Sequence, residues 1–209
     1  MRQIWAVTAL LVLAGCSATS MNKAECKTAD WRAIGYEDGA KGRSSETFGE
    51  RRKSCAEHGV AANFDAYLGG HGKGLAVFCR PQNGYRLGSR GYRYSGSCPA
   101  NLEDGFRTAH ADGYGLYERR KARDGIAREL KHSKRRASHV EDELIKNTAR
   151  LASPVMSPDQ RTNLAIEIKN LAEEKVKLGQ RIQQLEQDHA IASEDYEAYR
   201  SQVASRYRS

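Results

Sequence analysis

Thiols stand at Cys16, Cys26, Cys55, Cys79 and Cys98. A thiol can be acylated, oxidised in pairs or bound to zinc. The last four lack the close Cys-x2-Cys pairs of a zinc site, so in an exported chain they read as two disulfides with three possible connectivities. Imidazoles at His58, His71 and His110 could gather with Asp38 or Asp112 into a metal or acid–base site. No spacing among them demands it, so packing or solvated histidines are expected, with no metal and no catalytic residue. Gly69-Gly-His-Gly-Lys-Gly74 has the composition of a phosphate loop. That loop needs a glycine separated by four residues from its Gly-Lys pair, then Ser or Thr; Tyr67 and Gly74 stand in those places and exclude it. Basic residues crowd into Arg119, Arg120, Lys121, Arg123, Arg128, Lys131, Lys134, Arg135 and Arg136, in a chain of formal net charge +8.

The elements that position these groups begin with the first sixteen residues. Arg2, an uncharged and mainly apolar run from Ile4 to Leu13, and a small-residue end form the three parts of a secretory signal. The run is shorter than the roughly 20 residues needed to cross a bilayer. Leu13-Ala14-Gly15-Cys16 resembles the lipobox of bacterial lipoproteins. The resemblance implies that residues 1–15 are removed and that Cys16 carries a diacylglyceryl group and an acylated amine, palmitate being one such acyl chain. Several chains on one residue make an effectively permanent anchor, since each buried methylene contributes about 0.8 kcal/mol. Ser17, where an Asp would imply retention at the inner membrane, points to the outer membrane facing the periplasm. Residues 16–25 then form a lipidated start and short tether.

Glycine divides the rest of the chain, because 17 of its 19 copies fall between Gly35 and Gly125. A Gly/Cys-rich domain is expected over 26–117 and a different one over 118–209. In the first, three segments share a cysteine, an aromatic ring ten or twelve positions later and a glycine three further on. They are Cys26–Tyr36–Gly39, Cys55–Tyr67–Gly70 and Cys98–His110–Gly113, a possible internal repetition. Apolar residues at three- and four-residue steps predict helices: Phe64, Tyr67, Leu68 and Leu75 form one stripe, Leu102, Phe106, Ala109 and Gly113 another. So many helical glycines, each costing about 1 kcal/mol against alanine, imply close backbone approach, as at Gly35/Gly39 and Gly70/Gly74. Around Gly88–Gly91, Tyr85, Leu87, Tyr92 and Tyr94 alternate with Arg86 and Arg93, which predicts a β-hairpin over 84–97. Cys79 and Cys98 bracket that hairpin, which suggests pairing them and leaves Cys26 with Cys55.

A combination of motifs in this region carries a resemblance. Trp31 precedes Gly35-Tyr-Glu-Asp-Gly39. Arg51, Cys55, His58 and Gly59 follow, then Tyr67, Gly70, Gly74 and Leu75, then Phe78-Cys79 with Pro81, and Cys98-Pro99. Together they resemble the bacterial lipoprotein family known only as domain of unknown function 2799, over about residues 24–118. The resemblance implies a cysteine-containing periplasmic lipoprotein domain and no particular activity. The C-terminal arm lies outside it.

From Glu118 charge rises and a heptad pattern appears. One seam runs Ile126, Leu130, Ser133, Ala137, Val140, Leu144, Asn147, Leu151. Residues 153–158 interrupt it: Pro154 cannot continue a helix, and Ser157-Pro158-Asp159 suits a new start. The second seam runs Leu164, Ile168, Leu171, Lys175, Leu178, Ile182, Leu185, His189, Ala192, Tyr196, Tyr199, Val203, which predicts an antiparallel coiled-coil hairpin. The fold class expected is therefore mainly α, a small disulfide-bonded helical domain with one β-hairpin followed by a long helical hairpin. The first helix of that hairpin reads as the shorter, leaving part of the second uncovered. Leu164, Ile168, Leu171, Leu178, Ile182, Leu185, Tyr196 and Tyr199 are then candidates for binding a protein partner or a second copy.

The function expected is a non-enzymatic envelope interaction or scaffold protein without a cofactor beyond the lipid. An alternative is a peptidoglycan- or anionic-lipid-binding module using Arg119, Arg120, Lys121, Arg123, Lys134, Arg135 and Arg136. A cell-wall enzyme is a remote third. Export argues against nucleic acid as a partner.

Overall fold

The structure, a computed structural model, describes residues 20–207, so the signal and Cys16 lie outside the described part. Its helices are α1 (Lys23–Lys27), α2 (Trp31–Ala40), α3 (Thr47–Ala56), α4 (Phe64–Phe78), α5 (Pro81–Ser89), α6 (Ala100–Leu151) and α7 (Pro158–Ala204). Among the described residues there is no strand, so the β-hairpin expected over 84–97 is corrected to α5 and a loop. Four alternating apolar residues in two short runs cannot separate a strand from a helix face. What decides here is Pro81 in the first turn, with φ preset for a helix, and Gly84 and Gly88 one turn apart on the buried face. Two compact units result: one takes the described residues up to Arg80 with Ser95–Glu103, the other Pro81–Tyr94 with those from Asp104 onward. The composition change near residue 117 falls inside α6, which runs through it without a break.

In the first unit, side-chain caps at Asn22, Asp30 and Asn63 open α1, α2 and α4 by satisfying backbone N–H groups that the first turn leaves unpaired. α2 and α4 then pack with backbones almost touching. A Cβ added at Gly35 would lie 2.1 Å from the Tyr67 carbonyl oxygen, at Gly39 2.2 Å from that of His71, and at Gly74 2.2 Å from that of Tyr36. Only glycine fits, and its Cα–H groups face carbonyls, contacts worth about 0.5–1 kcal/mol each. Met21, Cys26, Trp31, Phe48, Cys55 and Tyr67 form the core beside this pair. Phe48 sits at its centre, 5.6 Å from the Trp31 ring and 4.9 Å from that of Tyr67. Disulfides join Cys26 to Cys55 and Cys79 to Cys98. The pairing is the one expected, although the second bridge encloses a helix and a loop instead of a hairpin.

The second unit repeats the helix pair. A Cβ at Gly84 would meet the Phe106 carbonyl oxygen at 2.5 Å, at Gly88 that of His110 at 2.1 Å, and at Gly113 that of Tyr85 at 2.2 Å. Gly35, Tyr36, Asp38, Gly39, Gly42 and Arg43 therefore correspond, at constant spacing, to Gly84, Tyr85, Leu87, Gly88, Gly91 and Tyr92. Tyr67, Gly70, His71, Gly74 and Phe78 correspond likewise to Phe106, Ala109, His110, Gly113 and Tyr117. Both first helices end alike. Gly42 and Gly91 take φ of 69° and 81°, and the next N–H reaches back to Asp38 in one pair and to Leu87 in the other, a Schellman stop that favours glycine. Each of these glycines lies under a ring, Phe78 or Tyr117. The repetition expected in three copies is thus a helix pair in two, with Tyr67 matched to Phe106 instead of His110.

Further along, α6 and α7 form the antiparallel hairpin, with Ser157 capping α7, Pro158 in its first turn and Gln160 closing a capping box. Arg161 fastens the turn by donating to the carbonyls of Leu151 and Ser153 at 2.8 and 3.0 Å. Ion pairs climb the two helices in opposite directions: Asp112–Arg206 (3.1 Å), Arg119–Asp195 (3.1 Å), Lys134–Glu186 (2.7 Å), Arg136–Glu174 (2.6 Å) and Glu141–Lys175. Ser133, Val140 and Asn147 of the expected α6 seam are buried, as are Leu164, Leu185 and Val203 of α7. The overhang expected on α7 is not found: α6 has 52 residues against 47 in α7, because it starts at Ala100 and carries four glycines without breaking.

Candidate functional site

The most concentrated polar chemistry in the first unit surrounds Asp38, whose side chain is 1% exposed. It projects from α2, one turn before the Schellman stop. Arg51 on α3 donates from Nε to Oδ2 at 3.1 Å and from Nη2 to Oδ1 at 3.0 Å. Arg43 donates from Nη1 to Oδ1 at 3.0 Å, and the buried Tyr67 hydroxyl donates to Oδ2 at 3.1 Å. Burial pushes the Asp38 carboxyl up, but the hydrogen bonds and charge of Arg51, with help from Arg43 and Tyr67, outweigh it and hold the group below the usual carboxylate range. Burial and the neighbouring carboxylate push the Tyr67 phenol far above its ordinary value. An ionised carboxylate already accepting four bonds is a poor proton acceptor. The cluster works mechanically instead, tying α3 through Arg51 to both helices of the glycine-packed pair.

The histidines do not gather. Nε2 of His71 lies 2.8 Å from the Arg43 carbonyl, and Nε2 of His110 lies 2.7 Å from that of Tyr92. A carbonyl can only accept, so each Nε2 donates, and the two bonds are the same bond in the two helix pairs. His58 is exposed in the turn after α3. Asp112 accepts from Arg206 at 3.1 Å and from the Tyr207 hydroxyl at 2.7 Å. Among the described residues no group of three or more His, Cys, Asp or Glu is placed to hold a metal. The 69–74 segment that resembles a phosphate loop in composition lies wholly within α4.

The basic stretch is largely engaged by its own unit. Arg119 pairs with Asp195 and lies 3.9 Å over the Tyr199 ring; Arg123 pairs with Asp124 and lies 4.4 Å over Tyr196. Arg120 donates to the Ser89 carbonyl, and Lys134 and Arg136 hold Glu186 and Glu174. Lys121 and Arg135 face solvent. The α7 seam candidates are also occupied: Leu164 and Leu185 are buried, and Ile168, Leu171, Leu178, Ile182, Tyr196 and Tyr199 are half-buried. Cys16 lies outside the described residues. Sequence reading missed the Arg43 and Arg51 contacts to Asp38. The signal for Arg51 was its place one helical turn before Cys55, on the face the disulfide turns inward.

No curated protein and no solved structure matches this chain. Residues 30–115 match the profile of the family described as Protein of unknown function (DUF2799). That span opens at the Asp30 cap of α2 and holds the contacts of both glycine-packed pairs through Gly113. The match thus coincides with the duplicated element, and it is over these residues that the chain resembles the DUF2799 family of proteins of unknown function.

Proposed function

We propose that the protein is a cell-envelope lipoprotein, anchored by acyl chains on Cys16, that acts without catalysis as an interaction or scaffold protein with the α6–α7 hairpin as its arm. The observation that carries this reading is the run of interhelical ion pairs from Asp112–Arg206 to Arg136–Glu174 along a closed apolar seam. Single exposed pairs contribute little, about 0–1 kcal/mol, but a series on one seam fixes register and stiffens the arm. Contact with a partner then falls to the outward side chains, of which Ile166, Val176 and Ile191 are exposed. No helix among the described residues is long and apolar enough to cross a membrane, which is compatible with an anchor at Cys16. The test is in-cell photocrosslinking from Ile166, Val176 and Ile191, with buried Leu185 as the internal control. A discrete adduct from the outward positions supports the arm as an interaction surface; none from any of them sinks it. Cys16→Ala is expected to release the protein from the membrane fraction and abolish metabolic acyl labelling.

A second reading has one observation in its favour. A shallow groove of about 470 Å³ on the arm is lined by Ala127, Leu130, Lys131, Lys134, Arg135, Ser138 and His189. An apolar floor with a cationic rim suits an anionic amphiphile such as a lipid. Binding to anionic vesicles that weakens with salt and is lost in Lys131→Glu/Arg135→Glu would favour it, whereas salt-independent binding would discount it.

A further inference from the structure

The duplicated helix pair offers a comparison within one chain, because one flank is filled in the second copy and open in the first. In the second pair the flank consists of Tyr85, Asp112, Gly115 and Leu116, and the end of α7 with the residues just after it lies on it. Tyr207 stacks on Tyr85 with ring centroids 4.8 Å apart, and Arg206 and the Tyr207 hydroxyl hold Asp112. The Tyr199 hydroxyl fills the space at Gly115, where a Cβ would lie 2.6 Å from it. Leu116 is left 7% exposed. The equivalent residues of the first pair are Tyr36, Lys73, Ala76 and Val77. There Lys73 and Ala76 are exposed, and Tyr36 and Val77 are 43% and 39% exposed.

We propose that this open flank of the α2–α4 pair is a docking site for an amphipathic helix of another protein. That helix carries a carboxylate opposite Lys73 and a small side chain opposite Ala76. The occupant's chemistry follows from two substitutions between the copies. Where Asp112 receives a guanidinium, Lys73 presents an ammonium, so the incoming charge must be negative. Where Gly115 admits a tyrosine hydroxyl, Ala76 has a Cβ in that space, so the incoming side chain must be smaller. The same two changes argue against α7 of a second copy, which would set Arg206 against Lys73 and Tyr199 against Ala76. Tyr36 and Val77 supply the apolar contact, as Tyr85 and Leu116 do for α7. The proposal goes beyond the interaction reading of the arm, because it adds a second surface on the α2–α4 pair.

The test uses the full-length lipidated protein in detergent and two stapled helical peptides with the sequence of residues 192–207. One is native; the other carries Tyr199→Ala and Arg206→Glu. Fluorescence anisotropy is expected to show saturable binding of the altered peptide, about tenfold or more tighter than the native one. Lys73→Glu should weaken binding of the altered peptide and shrink its advantage over the native one, Lys73→Arg should keep both, and Val77→Asp should remove binding; circular dichroism confirms that each variant is folded. Tighter binding of the native peptide would identify a second copy as the occupant and overturn the proposal. So would equal binding, no binding up to millimolar peptide, or indifference to Lys73→Glu. If these fail while Ile166 and Val176 still give adducts in cells, the interaction reading stands and this site alone is wrong.

Discussion

The α2–α4 and α5–α6 pairs share a backbone and differ in what surrounds it. Both bring glycine against carbonyls, both stop the first helix with a glycine at positive φ, and both hold a histidine Nε2 to the carbonyl after that glycine. Beside that frame, the first pair buries Asp38 and Tyr67 against a half-buried Arg51, while the second has Leu87 and Phe106 with the Tyr94 ring 4.8 Å away. The frame is therefore set by backbone geometry, and an ionic or an apolar filling can complete it. Ala109 in place of Gly70 shows the tolerance at one end. A Cβ added at Gly84 would lie 2.5 Å from the Phe106 carbonyl oxygen, against 2.1 Å for one at Gly35 from that of Tyr67, a slightly looser approach that accommodates the extra methyl.

The largest test of this comparison is the ionic filling. Asp38→Asn should cost about 3–5 kcal/mol, because it leaves two half-buried guanidinium groups without their carboxylate. Asp38→Leu/Tyr67→Phe/Arg51→Met, which imitates the second pair, should cost less than that single change, since replacing a whole buried ionic group is often neutral. Denaturant unfolding that ranks them the other way would mean the two fillings are not interchangeable. Next is the frame itself. Gly39→Ala and Gly88→Ala should each lose about 1–3 kcal/mol or more through overpacking, as their Cβ atoms would meet backbone. A neutral result at either would end the close-approach account.

Acid titration sharpens the same contrast. Asp38 has a folded pKa below its unfolded value, so its contribution is fully present above about pH 4 and is lost as pH falls through the folded pKa. Hydrogen exchange should therefore show amides of α2–α4 losing protection in acid before those of α5–α6, and the triple variant should remove the difference. His71→Ala should cost about 1–2 kcal/mol for a lost buried hydrogen bond, and His110→Ala less, because its ring is half-buried. The smallest effect belongs to Gly72→Ala, where a Cβ meets nothing within 4 Å. Here stability should rise by about 0.5–1 kcal/mol.

Several of these features were legible before the fold was known, and for short-range reasons. Ser157-Pro158 reads as a helix start because cap and proline act within one turn. The long helix α7 is legible because its apolar period is carried on one stretch of chain. The glycine spacing announced close helix approach, and the cysteines announced two bridges. The loop at Gly91 misled, since its Schellman stop and a hairpin turn both call for glycine between tyrosines.

By itself, then, the sequence determined the helical class, the helix pair built on glycine, the turn at 153–158 and the resemblance that the family match bears out. Only the tertiary structure decided that 81–89 is a helix, that α6 begins at Ala100 and covers α7, and that Asp38 is closed by Arg43, Arg51 and Tyr67. The reason is physical. Caps, stops and heptads are local and can be read along a single stretch of chain. A glycine four residues from another has two meanings, a broken helix or a seat for a partner helix, and the partner arrives from elsewhere in the sequence.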